Sequence, residues 1–144
     1  MIKMIHSGWA YVALILILVA VISAVIGMNS NKEFSKKSRS IALFALIASH
    51  IQMLFGFGAY FSSPGYMHLK QEGMGDVMKN AIYRNQIMEH PLMMLIGIIL
   101  ITVGWMKHKN KSTSKAKFKT IAVFYGIGLL LILAKIPWGV WFQH

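Results

Sequence analysis

The chain has 144 residues, of which 56% are hydrophobic, and 15 Lys and Arg against 4 Asp and Glu give it a formal net charge of +11. Apolar residues in such long runs exclude an ordinary soluble domain, and they also argue against nucleic-acid binding, the usual meaning of so basic a composition. The absence of Cys excludes disulfides, thiolate metal sites and iron–sulfur clusters.

Four apolar runs are long enough to cross a bilayer, which takes about 20 mostly apolar residues in a helix. They lie at about residues 8–28, 40–61, 88–106 and 120–142. The first run is longer than the apolar region of a secretory signal, about 7 to 15 residues, so we expect a retained span. The sequence therefore predicts an all-α membrane protein, a single domain over residues 1–144 built as a bundle of four antiparallel transmembrane helices.

The connections between the runs indicate an orientation, because positively charged loops stay on the cytoplasmic side. The first connection holds four cations and one acid: Lys32, Glu33, Lys36, Lys37 and Arg39. The third holds six lysines and no acid: Lys107, Lys109, Lys111, Lys115, Lys117 and Lys119. We expect both to face the cytoplasm, with the two termini outside. This topology explains the net charge without a nucleic-acid partner.

The middle connection, Ser62–Gln86, is nearly balanced in charge and is expected to lie outside. Its turn signal at Ser62–Gly65 should stop the second helix. The mixed residues of Tyr66–Tyr83 are typical of a short amphipathic segment at the membrane surface.

Polar side chains within or beside the spans are the candidates for chemistry, since an ionisable group in a membrane is costly. The candidates are His50 and Gln52 in the second span, Glu89 and His90 opening the third, Lys135 in the fourth, and His6 and Arg84 at the outer edge. The other histidines, His68, His108 and His144, are expected to be solvated.

The span-associated histidines differ in predicted depth. His50 lies about 15 Å from each end of its helix, where it is either a neutral imidazole bonded to a neighbouring helix or a ligand of haem iron. His90 lies about 22 Å from the inner interface, at a corner fixed by Pro91, and tilt or a kink could bring it level with His50. His6 lies higher and could pair with His90 only if the first helix were displaced inward. The sequence does not choose between the pairs.

Lys135 is expected at roughly the depth of His90, where an unpaired ammonium would be costly. A Glu89–Lys135 ion pair, which Arg84 could share, is the simplest structural explanation. The alternative is a cation cluster that holds a haem propionate or polarises a quinone carbonyl.

Several short motifs together resemble a family of short four-span bacterial proteins usually labelled cytochrome b-like. They are His6-Ser7-Gly8, His50-Ile51-Gln52, Arg84, Glu89-His90-Pro91 and Ile136-Pro137-Trp138, and they cover nearly the whole chain. The resemblance implies haem b in the bacterial cytoplasmic membrane and respiratory electron transfer with quinol or quinone. It also implies haem ligation by His50 and His90, with His6 as a further candidate.

Other functions stay open at this point. The chain could be a haem-free accessory or scaffold subunit of a larger membrane complex, whose polar residues only join helices. It could also be a haem-dependent oxidase of a biosynthetic intermediate, although the motifs of such four-span enzymes are not seen. The 11 Met residues form no Met-x-Met cluster, so thioether ligation is the weaker expectation.

Overall fold

The computed structural model describes residues 1–142, and every regular element in that range is helical. In chain order the helices are α1 (Ile2–Asn29), α2 (Lys36–Phe61), α3 (Pro64–Glu72), α4 (Met74–Lys79), α5 (Ala81–His108), α6 (Ser114–Lys135) and α7 (Trp138–Trp141). Four of them, α1, α2, α5 and α6, are long and apolar enough to cross a membrane. An all-helical chain with four membrane-length helices is thus confirmed.

The fourth long helix does not run to residue 142, as the sequence analysis predicted, but ends at Lys135. Ile136 is extended, with φ −65° and ψ 132°. Pro137 is the reason, because a proline ring disfavours the helical conformation of the residue before it. Lys135 therefore lies at the end of a helix and its carbonyl has no helical partner.

The third long helix begins seven residues earlier than the predicted start at residue 88. Asn80 caps it, since its Oδ1 accepts from the N–H groups of Ile82 and Tyr83 at 3.0 and 3.1 Å. The helix then widens into one π turn, Asn85–Glu89, where the His90 N–H donates to the Asn85 carbonyl. Pro91, which follows, has no N–H to donate and would crowd the preceding turn of a regular helix. Since α5 begins at Ala81, Pro91 lies within this longer helix and does not begin it.

The amphipathic segment predicted at 66–83 is divided in two. Gly73 has φ +85°, a backbone conformation that favours glycine, and it separates α3 from α4. His68 Nε2 on α3 lies 2.5 Å from Asp76 Oδ2 on α4, which joins the two short helices.

The long helices pack as a ring in which α1 contacts α2 and α6, while α5 contacts α6 and α2. Small residues allow this close packing, as is usual between membrane helices. Alanines on α1 and α2 are buried, among them Ala20 and Ala45. On α5 and α6, a Cβ added to Gly97 would lie 3.0 Å from the Gly128 carbonyl oxygen. Large apolar side chains such as Ile15 and Leu130 point outward, as expected for helices in lipid.

The two ends of this helix bundle differ in chemistry. At one end the Phe34 N–H donates to Ser114 Oγ at 2.8 Å, so the two basic connections lie together. At the other end His6, His90 and Lys135 meet. We call these the basic end and the histidine end.

Candidate functional site

The central feature of the histidine end is a pair of imidazoles, those of His6 on α1 and His90 on α5. These two helices lie opposite each other in the four-helix arrangement. Their ring centroids are 6.2 Å apart and their planes are perpendicular, at 89°. Two imidazoles that face each other across one metal ion, each nitrogen about 2 Å from the metal, have centroids roughly 6 Å apart. The separation therefore fits two rings that share one ion.

The protonation of His90 follows from its hydrogen bond. Nδ1 lies 3.1 Å from the Lys135 carbonyl oxygen, which can only accept, so Nδ1 carries the proton. Nε2 of the neutral ring is then left with a free lone pair. Metal-binding histidines are commonly oriented by such a bond from the other nitrogen to a backbone carbonyl. Pro137 contributes indirectly, because it ends α6 and leaves this carbonyl available.

His6 is held by α2. Gln52 Nε2 donates to the His6 backbone carbonyl at 2.8 Å, and a Cβ on Gly56 would lie 3.3 Å from His6 Cε1. Two polar atoms here, His6 Nδ1 and Gln52 Oε1, are buried without a hydrogen-bond partner in the described part of the chain. Unsatisfied buried polar atoms are rare in folded proteins, and they are expected where a ligand or water completes a site.

Beside the pair, Glu89 joins two cations. Its Oε2 lies 3.6 Å from Arg84 Nε and 3.6 Å from Lys135 Nζ, which confirms the predicted ion pair and its shared arginine. The carboxylate compensates one of the two positive charges, so the triad carries a net charge of +1. The side chains are 32% exposed for Glu89 and 38% for Lys135, so the bridge is not deeply buried.

His50 makes a hydrogen bond to a neighbouring helix. Its Nε2 lies 3.0 Å from Thr102 Oγ1, and that hydroxyl donates to the Ile98 carbonyl at 2.7 Å. The hydroxyl proton is thereby used, so His50 Nε2–H is the donor to Thr102. Thr102 lies about 18 Å along α5 from His90. The structure therefore brings His90 to His6, and it places His50 against Thr102.

The remaining histidines differ from one another. His108 is only 3% exposed, packed against Trp105 and Phe34, so the prediction that it is solvated is wrong. The predicted third span ends at residue 106, so the sequence placed His108 in a loop. It gave no sign that Phe34 of the first connection covers this histidine. His68 is partly exposed and pairs with Asp76. His144 lies outside the described residues.

Sequence reasoning missed Asn85, Gly56 and Thr102 as parts of the polar network. Asn85 Nδ2 lies 3.5 Å from the same Lys135 carbonyl that His90 binds. Gly56 follows Gln52 by four residues, which places both on one helix face, and that spacing was the available signal. A threonine within an apolar run gives no comparable signal.

Within residues 1–142, no group of three or more His, Asp or Glu side chains is arranged to hold a metal ion. The His6–His90 pair offers two imidazoles, which is the number of protein ligands that a bis-imidazole haem uses. No family model, curated protein or solved structure matches the chain.

Proposed function

We propose that the chain is a b-type haem protein of a bacterial cytoplasmic membrane, which exchanges electrons with quinol or quinone. The observation that carries this proposal is the perpendicular His6–His90 pair, with its 6.2 Å separation and a free nitrogen on His90. Haem, when bound, would supply one-electron chemistry. In this proposal His6 and His90 would hold the haem iron, whereas the family resemblance implied His50 and His90.

The other residues of the site have supporting roles. The Lys135 carbonyl fixes the proton of His90 on Nδ1, which keeps Nε2 available as a ligand. Gln52 fixes the backbone of His6. Arg84 and Lys135 leave one positive charge beyond what Glu89 compensates, which suits a haem propionate or a reduced quinone oxygen.

The proposed topology is an antiparallel bundle with the basic end in the cytoplasm and both termini outside. Its support is that the two basic connections touch through Phe34 and Ser114. Together they hold ten cations and one acid, and this asymmetry follows the positive-inside rule. Labelling of a single Cys introduced at Lys111 tests the topology, because a reagent that cannot cross the membrane should not reach it from outside.

The haem proposal is tested by absorption spectroscopy on protein produced with adequate haem. The parent chain should show a Soret band and a reducible α-band. His6→Ala and His90→Ala should each abolish the low-spin spectrum, because bis-imidazole ligation needs both rings. His68→Ala, a histidine outside the pair, is the matched control and should leave it unchanged.

His50→Ala separates the two possible ligand sets. It should leave the spectrum low-spin if His6 and His90 are the ligands, and abolish it if His50 and His90 are. The absence of any Soret band in folded parent protein would overturn the haem proposal altogether.

A haem-free scaffold subunit of a larger membrane complex is the second candidate. The observation in its favour is that several polar side chains join neighbouring helices directly. Trp9 Nε1 donates to the Ala48 carbonyl at 2.9 Å, and Tyr125 Oη donates to the Ala42 carbonyl at 2.8 Å. In that case His50→Ala and His90→Ala would lower stability without any spectral consequence.

A further inference from the structure

The basic end contains a group of cations around buried and partly buried aromatic rings, which the haem proposal does not use. The rings belong to Trp105, His108 and Phe34. Trp105 and His108 are 6% and 3% exposed, and their centroids are 4.6 Å apart. The Phe34 ring lies 5.3 Å from that of His108. The first connection and α5 thus share one aromatic cluster.

Three cations from three different elements lie on this cluster. The Arg39 guanidinium carbon and Lys109 Nζ are each 5.1 Å from the Trp105 ring centroid. Lys117 Nζ is 5.8 Å from the centroid of Phe34. These separations are within the range of cation–π attraction, about 6 Å. We call Arg39, Lys109 and Lys117 the cation cluster.

In the described part of the chain, no carboxylate forms an ion pair with the cation cluster. Within residues 1–142, ion pairs form at Asp76 and Glu89 only, and neither residue lies in a basic connection. Glu33, the one acid of the two basic connections, makes no ion pair in that range. Like charges held together without a counter-ion repel one another, and a bound anion would relieve the repulsion.

The position of the cluster identifies the kind of anion. It lies at the end of a membrane-length helix, next to a buried tryptophan, where lipid headgroups meet protein. Clusters of Lys and Arg at that level attract anionic lipids by about 1 kcal/mol per residue. Contacts with the rings restrict these side chains, so less side-chain freedom is lost when a phosphate binds.

We propose that Arg39, Lys109 and Lys117 form a binding site for the phosphate of an anionic phospholipid headgroup. The site is independent of haem and lies at the opposite end of the bundle from the histidine pair. A freely soluble phosphate offers the same chemistry without the acyl chains, so the experiment includes both.

The test uses the whole chain in a neutral detergent, so that no charged bilayer contributes. Thermal unfolding is followed with phosphatidylglycerol, phosphatidylcholine or inorganic phosphate added. Phosphatidylglycerol should raise the Tm of the parent chain, and the other two additions should not. The variant with Arg39→Gln, Lys109→Gln and Lys117→Gln should lose at least half of the rise.

The matched control removes the same charge from the same end of the bundle. Lys36, Lys37 and Lys111 are exposed, and changing all three to Gln leaves the cation cluster intact. This control should keep the full rise. Equal losses in both triple variants would overturn the proposal, because the effect would then be general attraction. An equal rise with phosphatidylcholine or with inorganic phosphate would overturn it as well.

Should the triple cluster variant not fold, single changes give the answer. Lys109→Gln is expected to weaken phosphatidylglycerol retention about fivefold, as counted by native mass spectrometry. Lys111→Gln, two residues away, should retain the lipid as the parent does. Equal retention by these two variants would refute the site.

Discussion

The packing of α5 against α6 predicts opposite effects for one substitution at two glycines of the same helix. A Cβ on Gly128 would lie 2.8 Å from the Gly97 carbonyl oxygen, whereas a Cβ on Gly126 has no neighbour closer than 3.9 Å. The oxygen belongs to a backbone and cannot rotate away. Relief to an ordinary contact of 3.4 Å therefore requires the two helices to separate by about 0.6 Å.

Such overpacking costs about 1 to 3 kcal/mol, so Gly128→Ala should lower the free energy of unfolding by that amount. Gly126→Ala gains helix propensity and meets no obstacle, so it should raise the free energy of unfolding by about 0.5 to 1 kcal/mol. Denaturant unfolding in detergent micelles, followed by circular dichroism, measures both. Equal effects of the two variants, in either direction, would refute the close approach of α5 and α6.

Two further predictions concern the histidine end. Lys135→Met should lower the free energy of unfolding by only about 0.2 to 1 kcal/mol, because the bridge to Glu89 is partly exposed. Adding Glu89→Gln to the same chain should not cause a comparable further loss. A double-mutant cycle measured by thermal unfolding checks both expectations. A loss of several kcal/mol would show that the charge is buried. Pro137→Ala should let the fourth helix continue, so that the Gly139 N–H takes the Lys135 carbonyl from His90. Helix content should then rise in circular dichroism, and any haem bound through His90 should be retained less well, whereas Pro64→Ala, at the start of α3, should change neither; unchanged helix content would contradict the argument.

The number of long helices could be predicted because a bilayer sets their minimum length and requires their backbone groups to bond internally. Their ends were less predictable, because both α1 and α5 continue beyond the apolar runs into polar sequence. At the end of α6 the opposite occurs, since apolar residues continue past Pro137 and hydropathy does not register the break in backbone geometry.

The same errors in the helix ends explain why the sequence did not predict which histidines pair. The sequence identified His6, His50 and His90 as candidates, but it placed His6 before the first span. In the structure α1 begins at Ile2, so His6 lies within its second turn and reaches His90. Depth estimated from hydropathy alone carries an error of a turn or more. The pairing of His50 with Thr102 needed the rotation of two helices about their axes, which weakly amphipathic membrane helices do not reveal.

The π turn at Asn85–Glu89 determines how α5 would respond to the loss of one residue. In a regular α-helix, residues five apart differ by about 140° around the axis, so Asn85 and His90 would face different neighbours. The wide turn accommodates one additional residue and brings both side chains to the Lys135 carbonyl. Loss of a single residue from this turn would restore a regular helix and leave the segments on its two sides in nearly the same orientation, because four steps of an α-helix already cover about 400°. Arg84 would then lie four residues before Glu89, on the same helix face, and the ion pair would be kept. The same loss from a regular part of α5 would instead rotate the polar segment by about 100° relative to the membrane helix.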